Sequence, residues 1–353
     1  MRRIRGIAAT AAIAVVLSML LTGCDAYGQF FGQAQGALAA NSALDDLVDE
    51  LRTEPGVEDA RYTLDAFAVS GDPTALVTVD LGSEDVDGWT AVSGVVRDGA
   101  DAEALAGVDV YVTFQHEGGL AFSVDARLLD ADQLRAEVMS ALRIQTALEV
   151  PVRVELNGDA SALRRVVRAV TDGLDPLRRL ADDAVRAELD AAPTLASGTG
   201  WDVPGLTTWE GLPTADRVRL LAGLLDGLPV LGYSGLTASE PPALAAGATW
   251  ALPPTGQESL SLAVFELDGD EARPAPEALA LAGRALLMDG VAASIQYLTD
   301  DGLHFGNLYV GVCPEQPLVQ EQDLRFAAAL RAHGAAVPER SVGTCPVPLD
   351  PSR

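Results

Sequence analysis

Residues 108–124 read Val-Asp-Val-Tyr-Val-Thr-Phe-Gln-His-Glu-Gly-Gly-Leu-Ala-Phe-Ser-Val. Val108, Val110, Val112 and Phe114 alternate with Asp109, Tyr111 and Thr113, and after a Glu117-Gly118-Gly119 turn Leu120, Phe122 and Val124 resume the alternation. Period-two alternation on both sides of a glycine turn is a β-hairpin with one apolar face. Working outward, Val77, Val79 and Leu81 alternate with Thr78 and Asp80 as a strand, and Trp89, Val92, Val95 and Val96 carry a helical spacing. Beyond the hairpin, Asp130 with Gln133 forms a capping-box signature ahead of Leu134, Val138, Ala141 and Leu142. Val150, Val152, Val154 and Leu156 then make a further strand. Residues 75–157 therefore read strand, helix, strand, strand, helix, strand, the split order of a ferredoxin-like fold.

The order returns near the end of the chain. Leu260, Leu262 and Val264 mark a strand, Ala278 to Met288 a helix, Val291 to Leu298 and Leu303 to Val312 a hairpin, Leu324 to His333 a helix, and Arg340 to Cys345 a last strand. Amphipathic helices, Asn41 to Glu54 and Thr214 to Asp226, precede the two units. The expectation is an α+β protein of two ferredoxin-like βαββαβ halves with antiparallel sheets, whose hairpins around Val112/Phe122 and Tyr297/Tyr309 superpose. Helices at Ser161–Thr171 and Leu174–Leu189 and a Gly/Thr/Pro-rich loop, Ala191 to Pro213, form the helical and loop-rich middle that joins the halves. This sets a first domain at 41–190, a linker at 191–213 and a second domain at 214–353.

The chain has 353 residues and a formal charge of -27, with 51 acids against 24 basic residues, all arginine. Such a surface repels nucleic-acid phosphates and anionic headgroups, which excludes both as expected partners. At 48% hydrophobic residues the chain is not a disordered polyelectrolyte.

The first 24 residues supply an address. Arg2, Arg3 and Arg5 precede the uncharged apolar run Ile7–Leu20, which is a secretory-signal pattern. The run ends in Leu21-Thr22-Gly23-Cys24, which resembles the lipobox of bacterial lipoproteins. The resemblance implies a signal peptide over 1–23, cleavage before Cys24, lipidation of the Cys24 thiol with diacylglycerol and palmitate, and a lipidated tether over 24–40. It places the protein at the cell membrane, on the extracytoplasmic face. An ordinary secreted protein with a chance cysteine, or an apolar run kept as an anchor, are the alternatives. The remaining cysteines, Cys313 and Cys345, form an even pair in a compartment that permits disulfides. A bridge would close a loop of about thirty residues and stabilise by about 3–4 kcal/mol in the chain-entropy treatment; two separate buried thiols are the other reading.

Candidate binding residues are few. Arg164, Arg165 and Arg168, with Arg178, Arg179 and Arg186, form a basic patch on an acidic chain. They suit either an acidic partner or neutralisation of neighbouring carboxylates. Trp201, Trp209 and Trp250, with Tyr233, suit sugar stacking or a plug between domains. His116 and His304 sit beside the turns of corresponding hairpins, as polar turn residues or as a metal pair. Gly232-Tyr233-Ser234-Gly235-Leu236 has leucine where a nucleophile elbow needs glycine, and Gly198-Thr199-Gly200 lacks a dinucleotide fingerprint's third glycine. The sequence thus predicts a lipid-anchored envelope protein with a non-catalytic binding ectodomain, no cofactor, and a protein or glycan partner. The alternatives are the solute-binding lipoprotein of a transporter and a cell-wall hydrolase.

Overall fold

A computed structural model describes residues 38–65, 73–128, 130–158, 164–191, 198–230, 244–251, 259–266, 274–286, 292–299, 304–310 and 321–337. Among the described residues twelve strands belong to one mixed sheet and follow each other in chain order. The chain divides into two units, Met1–Phe114 with Asp125–Ala131, and Gln115–Val124 with Asp132–Arg353.

In the first unit, helix α1 (38–51) buries Leu44, Leu47, Val48 and Leu51, the positions its sequence period selects. It begins at residue 38, ahead of the Asn41 start that the sequence suggests. Asn41 and Asp45 serve another purpose, because the Tyr62 hydroxyl lies 2.9 Å from Asn41 Oδ1 and 2.8 Å from Asp45 Oδ1. Burial, and then the Asp45 carboxylate, push the Tyr62 phenol above its ordinary pKa. Tyr62 belongs to β1 (Val57–Asp65), which pairs antiparallel with β2 (Thr74–Leu81). Helix α2 (Val86–Ala100) starts where the Asp85 side chain accepts from Gly88 N, and it buries Trp89, Val92, Val96 and Ala100. Trp89 Nε1 donates to Ser83 O at 2.8 Å, and its ring lies 6.2 Å from that of Phe114 on β3 (Asp109–Gln115). At Gly99 a Cβ would lie 2.6 Å from Leu47 Cδ1, so a larger residue there would force the Leu47 side chain to move where α2 meets α1. The Arg127 guanidinium donates to the carbonyls of Ala100, Leu105 and Val108, supplying donors that the end of α2 and the following 3-10 turn lack.

The second unit is a repeat of hairpin and helix. Its strands are β4 (Ala121–Asp125), β5 (Val152–Asn157), β6 (Arg164–Ala169), β7 (Gly198–Val203), β8 (Leu206–Thr208), β9 (Leu244–Ala251), β10 (Ser259–Glu266), β11 (Ala292–Thr299) and β12 (His304–Val310). Antiparallel pairs β5/β6, β7/β8, β9/β10 and β11/β12 alternate with parallel pairs β4/β5, β6/β7, β8/β9 and β10/β11. Parallel neighbours need a crossover, and the helices fall at those joins. They are α3 (Ala131–Leu148), α4 (Asp175–Leu180) with α5 (Asp183–Asp190), α6 (Ala215–Leu225) and α7 (Pro276–Ala285). Helix α8 (Glu321–Ala332) follows β12.

Right-handed crossovers that always step the same way put their helices on one face of the sheet. Burial follows that rule. The register row Phe122, Val154, Val167, Trp201, Thr208, Trp250, Leu260 is buried at every position, as is the row Val203, Leu206, Ala248, Leu262, Ile295, Leu308. Residues between these rows, such as Arg153, Arg168, Asp202 and Thr207, are only half-buried. This is one covered face and one open face.

Three sequence expectations are corrected. The expected fold of two ferredoxin-like halves with antiparallel sheets gives way to one mixed sheet. The split order requires the strand after a crossover to skip a place for its hairpin partner, whereas β11 pairs directly and in parallel with β10, and β5 with β4. Element order is the same in both cases, so the sequence could not separate them. The expected helix Ser161–Thr171 is, where described, strand β6. The expected loop 191–213 holds the hairpin β7/β8, turned at Gly205 with φ +86; β8 has three residues, too short for alternation to declare it.

Candidate functional site

Strand β6 sorts its arginines by alternation. Arg165, Val167 and Ala169 face the covered side, and Arg164, Val166 and Arg168 the open side. Arg165 is 3% exposed and donates from Nε at 3.2 Å, and from Nη2, to Glu137 Oε2 on α3, which is fully buried. This ion pair has a structural part to play, since no solute reaches it.

On the open face Arg168 lies between two carboxylates. Its Nη1 pairs with Glu155 on β5, and its Nε lies 3.5 Å from Asp202 Oδ2 on β7. Thr207 Oγ1 on β8 donates to Asp202 Oδ1 at 3.4 Å. Burial lifts the Asp202 carboxyl above the usual carboxylate range, and Arg168 and Thr207 oppose that shift only in part. The cluster is a flat array of donors and acceptors across four adjacent strands.

Arg164, at the start of β6, pairs with Glu210, which follows Trp209 at the end of β8. The corner is held by backbone contacts. Gly211 N donates to Thr199 O at 2.8 Å, and Thr208 Oγ1 donates to Gly211 O at 2.7 Å. At Gly200 a Cβ would sit 2.9 Å from Thr208 O, so the close return of the corner over β7 requires glycine. Trp209 projects from this corner 68% exposed, while Trp89, Trp201 and Trp250 are buried. Trp201 and Trp250 flank Thr208 in one register row and belong to the core. Buried Trp250 Nε1 finds no hydrogen-bond acceptor among the described residues. The sequence groups the three tryptophans and the three arginines; the fold separates each group, leaving Trp209 and Arg164 together at one surface corner.

The other arginines of the expected patch are engaged within the chain. Arg178 pairs with Asp175 at 3.0 Å and Asp226 at 2.6 Å, and Arg179 with Glu149 at 2.6 Å. Arg186 donates to Leu180 O at 2.6 Å, and burial lowers its pKa. A shallow groove of about 400 Å³ lies among Arg178, Ala181, Asp182, Asp183, Arg219 and Ala222, its cations already matched by acids. Sequence reasoning missed Glu137, Glu155, Asp202 and Glu210, because what singles them out is register across strands and no local pattern.

Among the described residues no group of three His, Cys, Asp or Glu could hold a metal ion, and no helix is long and apolar enough to cross a membrane. Cys24, Cys313, Cys345, Tyr233 and the signal segment lie outside the described residues. Comparison with protein-family models, characterised proteins and solved structures finds no match to the chain.

Proposed function

We propose that the protein is a lipid-anchored, extracytoplasmic binding protein of the bacterial envelope, held to the membrane through Cys24 and meeting its partner through the Trp209 corner and the open sheet face. The observation that carries the address is Leu21-Thr22-Gly23-Cys24 directly after an uncharged apolar run and three arginines. The absence, among the described residues, of a helix long and apolar enough to cross a membrane is compatible with anchoring by lipid. The binding role rests on Trp209, a large aromatic left 68% exposed beside the Arg164–Glu210 pair. Exposed tryptophan flanked by charge is typical of anchoring residues in partner surfaces, and the indole face also suits a sugar ring.

The test is intact-mass analysis of the membrane form together with Cys24→Ala. The reading expects an amino-terminal Cys24 carrying a diacylglyceryl addition, and release or mislocalisation of the variant. A mature protein with unmodified Cys24 in the soluble fraction overturns the address.

A further inference from the structure

The geometry points to the open sheet face beside Trp209 as a binding site for a neutral glycan of N-acetylated amino sugars, lying along one row of side chains that crosses the strands. The proposal rests on the reading that Trp209 and the open face meet the partner, and it names that partner's chemistry. The row is Arg153, Arg168, Asp202, Thr207, Thr249 and Ser261, neighbours in register from β5 to β10. Each is half-buried and each carries a hydrogen-bonding side chain. Five strand spacings of about 4.8 Å make the row about 24 Å long, room for a short oligosaccharide. The corner that carries Trp209 lies on this side of the sheet. A Cβ at Gly200, which alternates with covered Trp201 on β7, would meet Trp209 O at 3.2 Å.

Asp202 shows what the row lacks. Among the described residues its carboxylate is met by Thr207 Oγ1 at 3.4 Å and Arg168 Nε at 3.5 Å, both at the outer reach of a hydrogen bond. A carboxylate has room for about four donors, and the Asp202 side chain is only 19% exposed, so neither the protein nor bulk water serves it fully. Burial raises its pKa for that reason. A ligand that brings N–H or O–H donors supplies what is missing. Charge then decides which ligand. Around Trp209 and the row, Arg153, Arg164 and Arg168 offset Glu155, Asp202 and Glu210, three cations against three acids, on a chain whose formal charge is -27. A balanced patch gains nothing from a charged ligand, and the chain as a whole repels anionic polymers. An acetamido group fits both partners, its N–H donating to Asp202 and its carbonyl accepting from Arg168, while the apolar face of the sugar ring stacks on the Trp209 indole. Trp209 is flanked by the Arg164–Glu210 pair and not by the apolar ring that keeps water from a protein–protein anchor, which favours the glycan.

The experiment titrates the purified full chain with the tetramer of β-1,4-linked N-acetylglucosamine, read by calorimetry and by tryptophan fluorescence. Binding with quenching is expected. Asp202→Asn, which keeps the shape of the side chain and removes the charged acceptor, should weaken binding about tenfold. Trp209→Ala should abolish the quenching and weaken binding by a similar factor, with urea unfolding of both variants close to the parent's. Leu220→Ala, which removes another exposed apolar side chain on α6, should bind as the parent does. The glucose tetramer of the same linkage lacks the acetamido group and should bind about tenfold more weakly. No binding at millimolar tetramer overturns the proposal, as do full affinity in Asp202→Asn, equal affinity for the glucose tetramer, or tighter binding of a polyuronic acid. Failure of the tetramer together with capture of an envelope protein that Trp209→Ala loses would keep the binding corner and sink the glycan. A chain without lipid on Cys24 that binds the tetramer through Asp202 and Trp209 upholds the site and sinks only the address.

Discussion

The covered and open faces of the second unit treat the same side chain in opposite ways. On β6, Arg165 points under α3 and is sealed with Glu137, whereas Arg168 points away and shares a half-exposed network with Glu155 and Asp202. Removing charges from water costs several kcal/mol per ion, so a buried pair stands only because its partner is in place. On the open face solvent screens the charges, and each pairing contributes little. Charge on this sheet therefore has two separate meanings, internal structure on one side and a solvent-facing network on the other.

The sharpest way to break that contrast is Arg165→Ala, which leaves Glu137 buried without its cation. It should destabilise the protein by about 3–5 kcal/mol in urea unfolding, while Arg165→Met combined with Glu137→Leu should be neutral or stabilising, up to about 4 kcal/mol. A small effect of Arg165→Ala would mean that α3 does not seal the pair.

Asp202 sharpens the comparison through pH. Its folded pKa is raised by burial, so between the unfolded carboxylate value and that raised value the folded state holds the extra proton. Its contribution is present below the unfolded pKa and is lost as pH rises through the folded one. Asp202→Asn should flatten the fall of Tm above the ordinary carboxylate range and change stability at neutral pH by less than about 1 kcal/mol. An unchanged slope would show that Asp202 titrates normally, with Arg168 offsetting its burial.

The smallest effect on folding belongs to Trp209→Ala. An exposed substitution should stay within about 0.5 kcal/mol of the parent. With the other tryptophans buried, quenching of the parent's fluorescence by envelope glycan fragments or captured partners reports chiefly on Trp209, and the variant should lose that response together with binding. Full binding by Trp209→Ala would move the partner surface elsewhere.

Much of the fold was legible residue by residue. Alternation at Val108–Val124 and at Leu260–Val264, and the helical spacing of Leu44, Leu47, Val48 and Leu51, report which side of an element meets the core, because burial is decided locally by period. Strand β6 was illegible for the same reason. Its core-facing set is Arg165, Val167 and Ala169, so a charge at the first position interrupts the alternation, while the spacing of Leu163, Val166, Val167 and Val170 resembles a helix. Only Glu137, 28 residues earlier, makes Arg165 an interior residue.

What the sequence determined by itself, then, was the strand or helix character of stretches such as Val108–Val124, Leu260–Val264 and Leu44–Leu51, the apolar face of each, and the acidic composition, all of which are properties of short stretches of chain; the export address it offers as an expectation. Tertiary structure alone decided that each crossover lands on the neighbouring place in one mixed sheet, that Trp201 and Trp250 are core while Trp209 is surface, and that Arg165 and Arg168 part company. Those outcomes depend on which strands become neighbours and in what register, and a single stretch carries no record of the partner it will meet.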